Sequence, residues 1–236
     1  VVSDGPSNYY IGSRQVTSNN QDPIIAKFTN GVQDWCRTDY ETDGVDGNGI
    51  GLMVSPTTCD LYAVFTVDGG RFGFNFATSG GWQNSYGSGG GPNVSVISRL
   101  DRSNGNPLNG TFVRAQLSSG NTNTLVVQDM NWDSSTDSVV VRADSAFLPF
   151  DVDGTTRLPD PGTSSPHNYN LTLNSNLTAA SSAFIGTSPS ITTTQASCPV
   201  APNNGGGTTN PTPTPDPSDS DTGGNLITVR TGGSDE

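Results

Sequence analysis

Asn93-Val94-Ser95-Val96-Ile97-Ser98-Arg99-Leu100 is the first of four β-rich runs that decide the fold. The second is Thr111-Phe112-Val113-Arg114-Ala115-Gln116-Leu117. The third is Thr124-Leu125-Val126-Val127-Gln128-Asp129-Met130, and the fourth is Asp137-Ser138-Val139-Val140-Val141-Arg142-Ala143-Asp144. Asn104-Gly105 punctuates the first gap and Gly120-Asn121 the second. Runs rich in Val, Ile and Thr, separated by Gly- and Asn-containing turns, are the signature of antiparallel hairpins. The spacing predicts a four-strand meander over residues 93–144.

Upstream, the same signals predict strands at residues 23–29, 51–54, 60–67 and 71–76, the last entered through an Asp68-Gly69-Gly70 turn. Residues 33–48 read as a loop rich in acids and glycine. Downstream, shorter strands are expected at 146–150, 168–173, 183–186 and 191–193. No window of a dozen residues has helical periodicity. Of 236 residues 31% are hydrophobic, while Gly (29) and Pro (16) approach a fifth of the chain. That is turn chemistry repeated many times. The expectation is an all-β fold: a single antiparallel β-sandwich or barrel-like domain of many short strands over residues 23–200. Residues 1–22 read as an extended N-terminal arm, 201–225 as a Pro/Thr/Gly-rich linker, and 226–236 as a C-terminal strand and tail.

Val-Ile-Ser-Arg-Leu-Asp ending at Asp101, the Asn-Gly at 104–105, Thr111-Phe112, and the Val-rich runs ending at Val127 and Val141 resemble one unit of the secreted bacterial β-propeller (SBBP-type) repeats. The stretch from Trp35-Cys36 to Asp144 is similar to secreted all-β proteins of cyanobacteria with no assigned activity. The first resemblance implies a blade-like unit. A closed propeller needs about four blades, and one such unit is present. Neither resemblance implies a catalytic motif.

The formal net charge is −12, from 22 acids against 10 bases, and Lys27 is the sole lysine. Such a surface repels nucleic acid and anionic membranes. No stretch approaches 18 apolar residues. The opening Val1-Val2-Ser3-Asp4 is read as a mature N-terminus left by signal-peptide removal, which places the protein outside the cell or at its surface. In an exported protein, Cys36 and Cys59 could close a disulfide across a 22-residue loop. Pairing cannot be deduced from spacing, and Cys36–Cys198 and Cys59–Cys198 stay open. The preferred expectation is Cys36–Cys59 with Cys198 outside the bridge.

Catalytic signals are sparse. His167 is the one histidine, no Gly-x-Ser-x-Gly elbow occurs, and no carboxylate pair stands out. No catalytic residue is assigned, and the expectation is a non-enzyme. Trp35, Trp82 and Trp132 could stack on sugars, but core positions are the favoured reading for large aromatics.

The tail carries the functional expectation. Prolines at 211, 213, 215 and 217 favour an extended path. Leu226-Ile227-Thr228-Val229-Arg230 then forms a short β-branched run. The 25-residue linker, residues 201–225, could reach on the order of 75 Å. A ~200-residue domain is only about 35–40 Å across. Such a leash suits pairing with another molecule. The expected function is a secreted structural subunit of an extracellular filament, a head-to-tail homopolymer assembled by β-strand complementation. Leu226, Ile227, Val229 and Arg230 are the interface residues of one candidate donor. Tyr9, Tyr10 and Ile11 are those of a rival. The alternatives are a secreted calcium-dependent module that binds surface glycans, and a secreted hydrolase.

Asp39, Glu41 and Asp43 before Gly44, with Asp46 and Asn48 beyond, place oxygens at the alternate positions of a calcium loop. Position 12 of that pattern is Ile50 rather than Glu, so the candidate Ca²⁺ site departs from it. Occupancy by Ca²⁺ raises the melting temperature, because a ligand of the native state alone stabilises it. A melt unchanged by millimolar-range calcium counts against a structural ion.

Overall fold

The computed structural model describes residues 1–41, 44, 46–69, 74–89, 91–187 and 198. These residues contain strands, turns and bends and no helix. β1 (Val2–Asp4), β2 (Ser7–Thr17), β3 (Asn20–Thr29) and β4 (Val32–Arg37) form one antiparallel sheet in that order. The larger sheet contains β5 (Gly47–Val54), β6 (Leu61–Asp68), β7 (Asn93–Leu100), β8 (Pro107–Val113), β11 (Leu125–Asp133), β12 (Ser138–Ser145), β13 (His167–Asn174) and β14 (Ala180–Ile185). Its order is β14-β13-β12-β11-β7-β6-β5, with β8 also on β7. β9 (Ala115–Gln116) and β10 (Thr122–Asn123) make a separate two-residue ribbon. The fold is all-β and sandwich-like, and the sheet does not close into a barrel.

β6 explains the layering. Successive side chains of a strand point to opposite faces, and here both faces are apolar. Leu61, Ala63, Phe65 and Val67 enter a cluster with Tyr9, Ile25, Tyr40, Phe76, Val94, Val96 and Phe112. Tyr62 and Val64 enter a second cluster with Ile97, Val127, Trp132, Val139, Val141, Tyr169 and Leu171. The small N-terminal sheet therefore covers one face of β6. The β11–β14 meander supplies the other.

Residues 1–22 are thus not an arm. They pair strand by strand through β1, β2 and the start of β3, and Tyr9 is fully buried. Period two is the reason: Tyr9 faces the core while Tyr10 lies on the outer face against Phe28. The β7–β8 turn latches this sheet down. Trp35 donates its indole N–H to Arg102 O (3.1 Å), Tyr40 its hydroxyl to Gly105 O (3.0 Å), and Arg102 pairs with Asp4. Gly105 has φ +74°, and a Cβ there would stand 2.7 Å from the Trp35 ring, so the turn needs glycine at this point.

Two strand expectations change. The loop predicted at residues 33–48 contains most of β4 and the start of β5. The four-strand meander divides into a β7–β8 hairpin and a β11–β12 hairpin, with β11 meeting β7 in parallel through Leu125 and Val94. The outer edge of β8 is already occupied: Phe112 N–H donates to Gln83 O, and Arg114 N–H to Gln83 Oε1. It has no ladder left for β11. The expected strand over residues 71–76 falls partly outside the described residues, and that over 191–193 wholly so. Phe74 and Phe76 are described; they pack as aromatic side chains in the first cluster without strand pairing.

Phe65→Ala should destabilise the protein by about 3–5 kcal/mol, the range for deleting a buried Phe. Val16→Ser, on the exposed end of β2, should stay within about 0.5 kcal/mol. Urea unfolding measures both, and a loss below 1 kcal/mol for Phe65→Ala would contradict the two-cluster layering.

Candidate functional site

The acidic loop is held by protein contacts. Asp39 accepts from two of the three Arg37 guanidinium nitrogens, Nη2 at 2.6 Å and Nε at 2.9 Å. Asp46 Oδ1 accepts Gln21 N–H, and Asn48 Oδ1 accepts the Ser13 hydroxyl. Glu41 is fully buried. Asp43 lies outside the described residues. Among the described residues no group of three or more His, Cys, Asp or Glu side chains is gathered as a metal site. Through their hydrogen bonds Asp46 and Asn48 tie the start of β5 to β3 and β2.

The disulfide expectation is corrected. Cys59 and Cys198 form the bridge, with Cα atoms 5.6 Å apart. Cys36 lies half-buried on β4, opposite Ala26 of β3, and burial raises its thiol pKa. Strand pairing fixes Cys36 within the N-terminal sheet. Cys59 occupies the turn before β6, where φ is +58°, and its partner lies 139 positions further along the chain. Sequence distance gave no hint of that proximity.

The tryptophans take core and clamp roles. Trp132 is fully buried and donates to Thr57 Oγ1 at 3.1 Å. Trp82 donates to Val152 O at 2.8 Å. His167 is buried at the start of β13, and its Nδ1 meets no hydrogen-bond partner among the described residues. Among the described residues no carboxylate therefore orients the ring through that nitrogen. A groove of about 140 Å³ runs between β5 and β11, lined by Ile50, Leu52, Val64, Val127 and Met130. Both strands bulge there, β5 between Gly49 and Gly51 and β11 between Val127 and Asp129.

Two features had no sequence signal strong enough to be singled out. One is the outer edge of β14. This strand pairs with β13 on one side, and among the described residues nothing pairs on the other. Its sequence, Ala-Ser-Ser-Ala-Phe-Ile, carries no charge and no proline, and Phe184 is exposed. Native edges are ordinarily blunted by lysine, proline or short length. β14 has six residues and neither blocking residue. Ala180, Ala183 and Ile185 lean against the second apolar cluster.

The other feature is a charged group beneath the N-terminal sheet. Lys27 is buried and its Nζ stands 3.0 Å from Asp34 Oδ2. The Thr29 hydroxyl donates to that same oxygen at 2.6 Å. Lys27 Nζ also lies 6.0 Å from the centre of the Tyr9 ring. Burial pushes the Tyr9 hydroxyl up to about 12, with Arg102 opposing and Asp4 and Asp34 reinforcing the shift. The signal available was the inward register: Ile25 and Lys27 share a face, so the lysine had to point inside.

No family model, curated protein or solved structure matches the chain.

Cys198→Ser should lower stability by about 5 kcal/mol at most, the loop-closure entropy expected for a bridge spanning 139 residues. Peptide mapping without reduction should recover a Cys59–Cys198 peptide. Recovery of Cys36 joined to either residue would contradict the assignment.

Proposed function

We propose that the protein is a secreted structural subunit of an extracellular filament, assembled by β-strand complementation between copies. The donor in this reading is the run Leu226-Ile227-Thr228-Val229-Arg230, and the acceptor is the open edge of β14 on the next copy. The observation that carries it is that edge: six residues without charge or proline, flanking an apolar cluster. Unpaired N–H and C=O groups along such an edge are a template for another strand. Ile227 and Val229 share one face of the donor and would cover Ala183 and Ile185. The donor would add to the large sheet, and a contact that does not close on itself propagates.

The N-terminal donor is set aside. Tyr9 belongs to the core of its own domain, and β2 is paired on both sides by β1 and β3. The Cys59–Cys198 bridge supports an oxidising compartment. Among the described residues no helix is long and apolar enough to cross a membrane.

Sedimentation and negative-stain electron microscopy test the reading on the full chain, a chain ending at residue 224, and a Ser182→Lys variant of β14. Filaments are expected for the full chain alone. Filaments from the truncated chain overturn the donor, and filaments from the lysine variant overturn the acceptor. A full chain that stays monomeric at micromolar concentration, about the range of transient contacts, overturns the function.

A further inference from the structure

We propose that Lys27 and Asp34 become joined as an intramolecular amide, a covalent cross-link between β3 and β4. This inference does not depend on filament assembly.

Placement comes first. Trp35 pairs with Lys27 and Gln33 with Phe28, so Asp34 is the extra residue of a bulge in β4. A bulge re-aims a side chain, and here it turns Asp34 to the Lys27 side. The lysine side chain is 1% exposed and the aspartate 16%. Nζ is held against the carboxyl by two adjacent strands, and the carboxyl is fixed from its other side by Thr29. Thr29 is itself hydrogen-bonded to Ser7 of β2 at 2.9 Å. Proximity of this kind replaces a bimolecular encounter with a positioned one.

The driving force is electrostatic. Holding an ion pair away from water costs desolvation energy that the mutual attraction does not always repay. An amide in the same place carries no charge and keeps one N–H donor and one acceptor. The neighbouring Tyr9 hydroxyl has Arg102, Asp4 and Asp34 as its charged neighbours.

The step balances without a co-reactant. One proton passes from the Lys27 ammonium to Asp34 Oδ2, giving an amine and a carboxylic acid. The Nζ lone pair attacks Cγ and forms the C–N bond. A second proton passes from nitrogen to Oδ2, the Cγ–Oδ2 bond breaks, and Oδ2 leaves as water. The Thr29 hydroxyl, on Oδ2 in the ion pair, fixes the carboxyl opposite Nζ. Nothing is oxidised or reduced.

Because Lys27 is the sole lysine, the test is direct. The intact mass of the folded, purified full chain should be one water below that of its sequence with the Cys59–Cys198 bridge. After reduction and denaturation, an amine-reactive reagent should label the α-amine and nothing else, and a lysine-specific protease should not cut at Lys27. Asp34→Asn should give a product of the same mass as the wild type, since the same amide then forms with loss of ammonia. Lys27→Met should show no loss. A wild-type chain of full mass, labelled at both amines, overturns the cross-link and leaves an ordinary ion pair between a buried lysine and a partly exposed aspartate.

Discussion

A strand buried on both faces must be covered twice, and β6 imposes that requirement on the whole molecule. Neither covering layer is optional. Leu61, Ala63, Phe65 and Val67 need the N-terminal sheet, while Tyr62 and Val64 need the β11–β14 meander. The chain meets this demand from both ends. Its first thirty-odd residues fold over one face, and residues beyond about 125 fold over the other. β7 shares the burden, with Val94, Val96 and Leu100 on one side and Ile97 on the other. Two buried serines of β7 tie neighbouring segments together. Ser95 Oγ bridges Leu125 O and Val127 N–H, bringing the two halves of the large sheet together without a full ladder. Ser98 Oγ ties Phe76 O to the opposite face.

The N-terminal sheet is held by a different mixture of forces from the meander. Its contact with the rest runs through Tyr9, Ile25 and Tyr40 and through the polar latch of the β7–β8 turn. A latch of hydrogen bonds and an ion pair fixes orientation more than it adds stability, since each bond replaces one to water. The apolar contacts supply the stability and the latch supplies the register. The Lys27–Asp34–Thr29 group sits on the inner side of the same sheet, where charge must be matched atom by atom.

Much of this layout was legible in the residues. The alternating runs at 93–100, 60–67 and 137–144 became β7, β6 and β12 within a residue or two, because β-branched periodicity and Gly/Asn turns are local signals. What failed was partner choice. Residues 111–117 look ready to pair with 124–130, but Gln83 takes that edge first, and no local signal in β8 announces it. Residues 1–22 looked polar because a sheet covered on one face has polar residues at alternate positions. Sparse apolar residues such as Tyr9 and Ile11 were the inward half of that alternation. The cysteine pairing failed for the same reason: Cys36 and Cys59 are near in sequence, but Cys36 belongs to one layer and Cys59 to the other. Among the candidate site residues, Asp39, Asp46 and Asn48 were read as oxygens of a calcium loop, and the protein groups that engage them come from Arg37, Gln21 and Ser13, two of them from strands distant in sequence.

The position of the Cys59–Cys198 bridge has a mechanical consequence. A pull on the chain beyond residue 198 does not travel back through β14, β13 and β12. It crosses the sulfur–sulfur bond and enters the fold at the turn that leads into β6, the most deeply enclosed strand. The 139-residue span between the two cysteines is shunted out of the path of tension. Fully extended, that span would measure on the order of 470 Å, and none of it can lengthen the molecule while the bond is intact. A reductant that opens the bridge returns those residues to the path of tension.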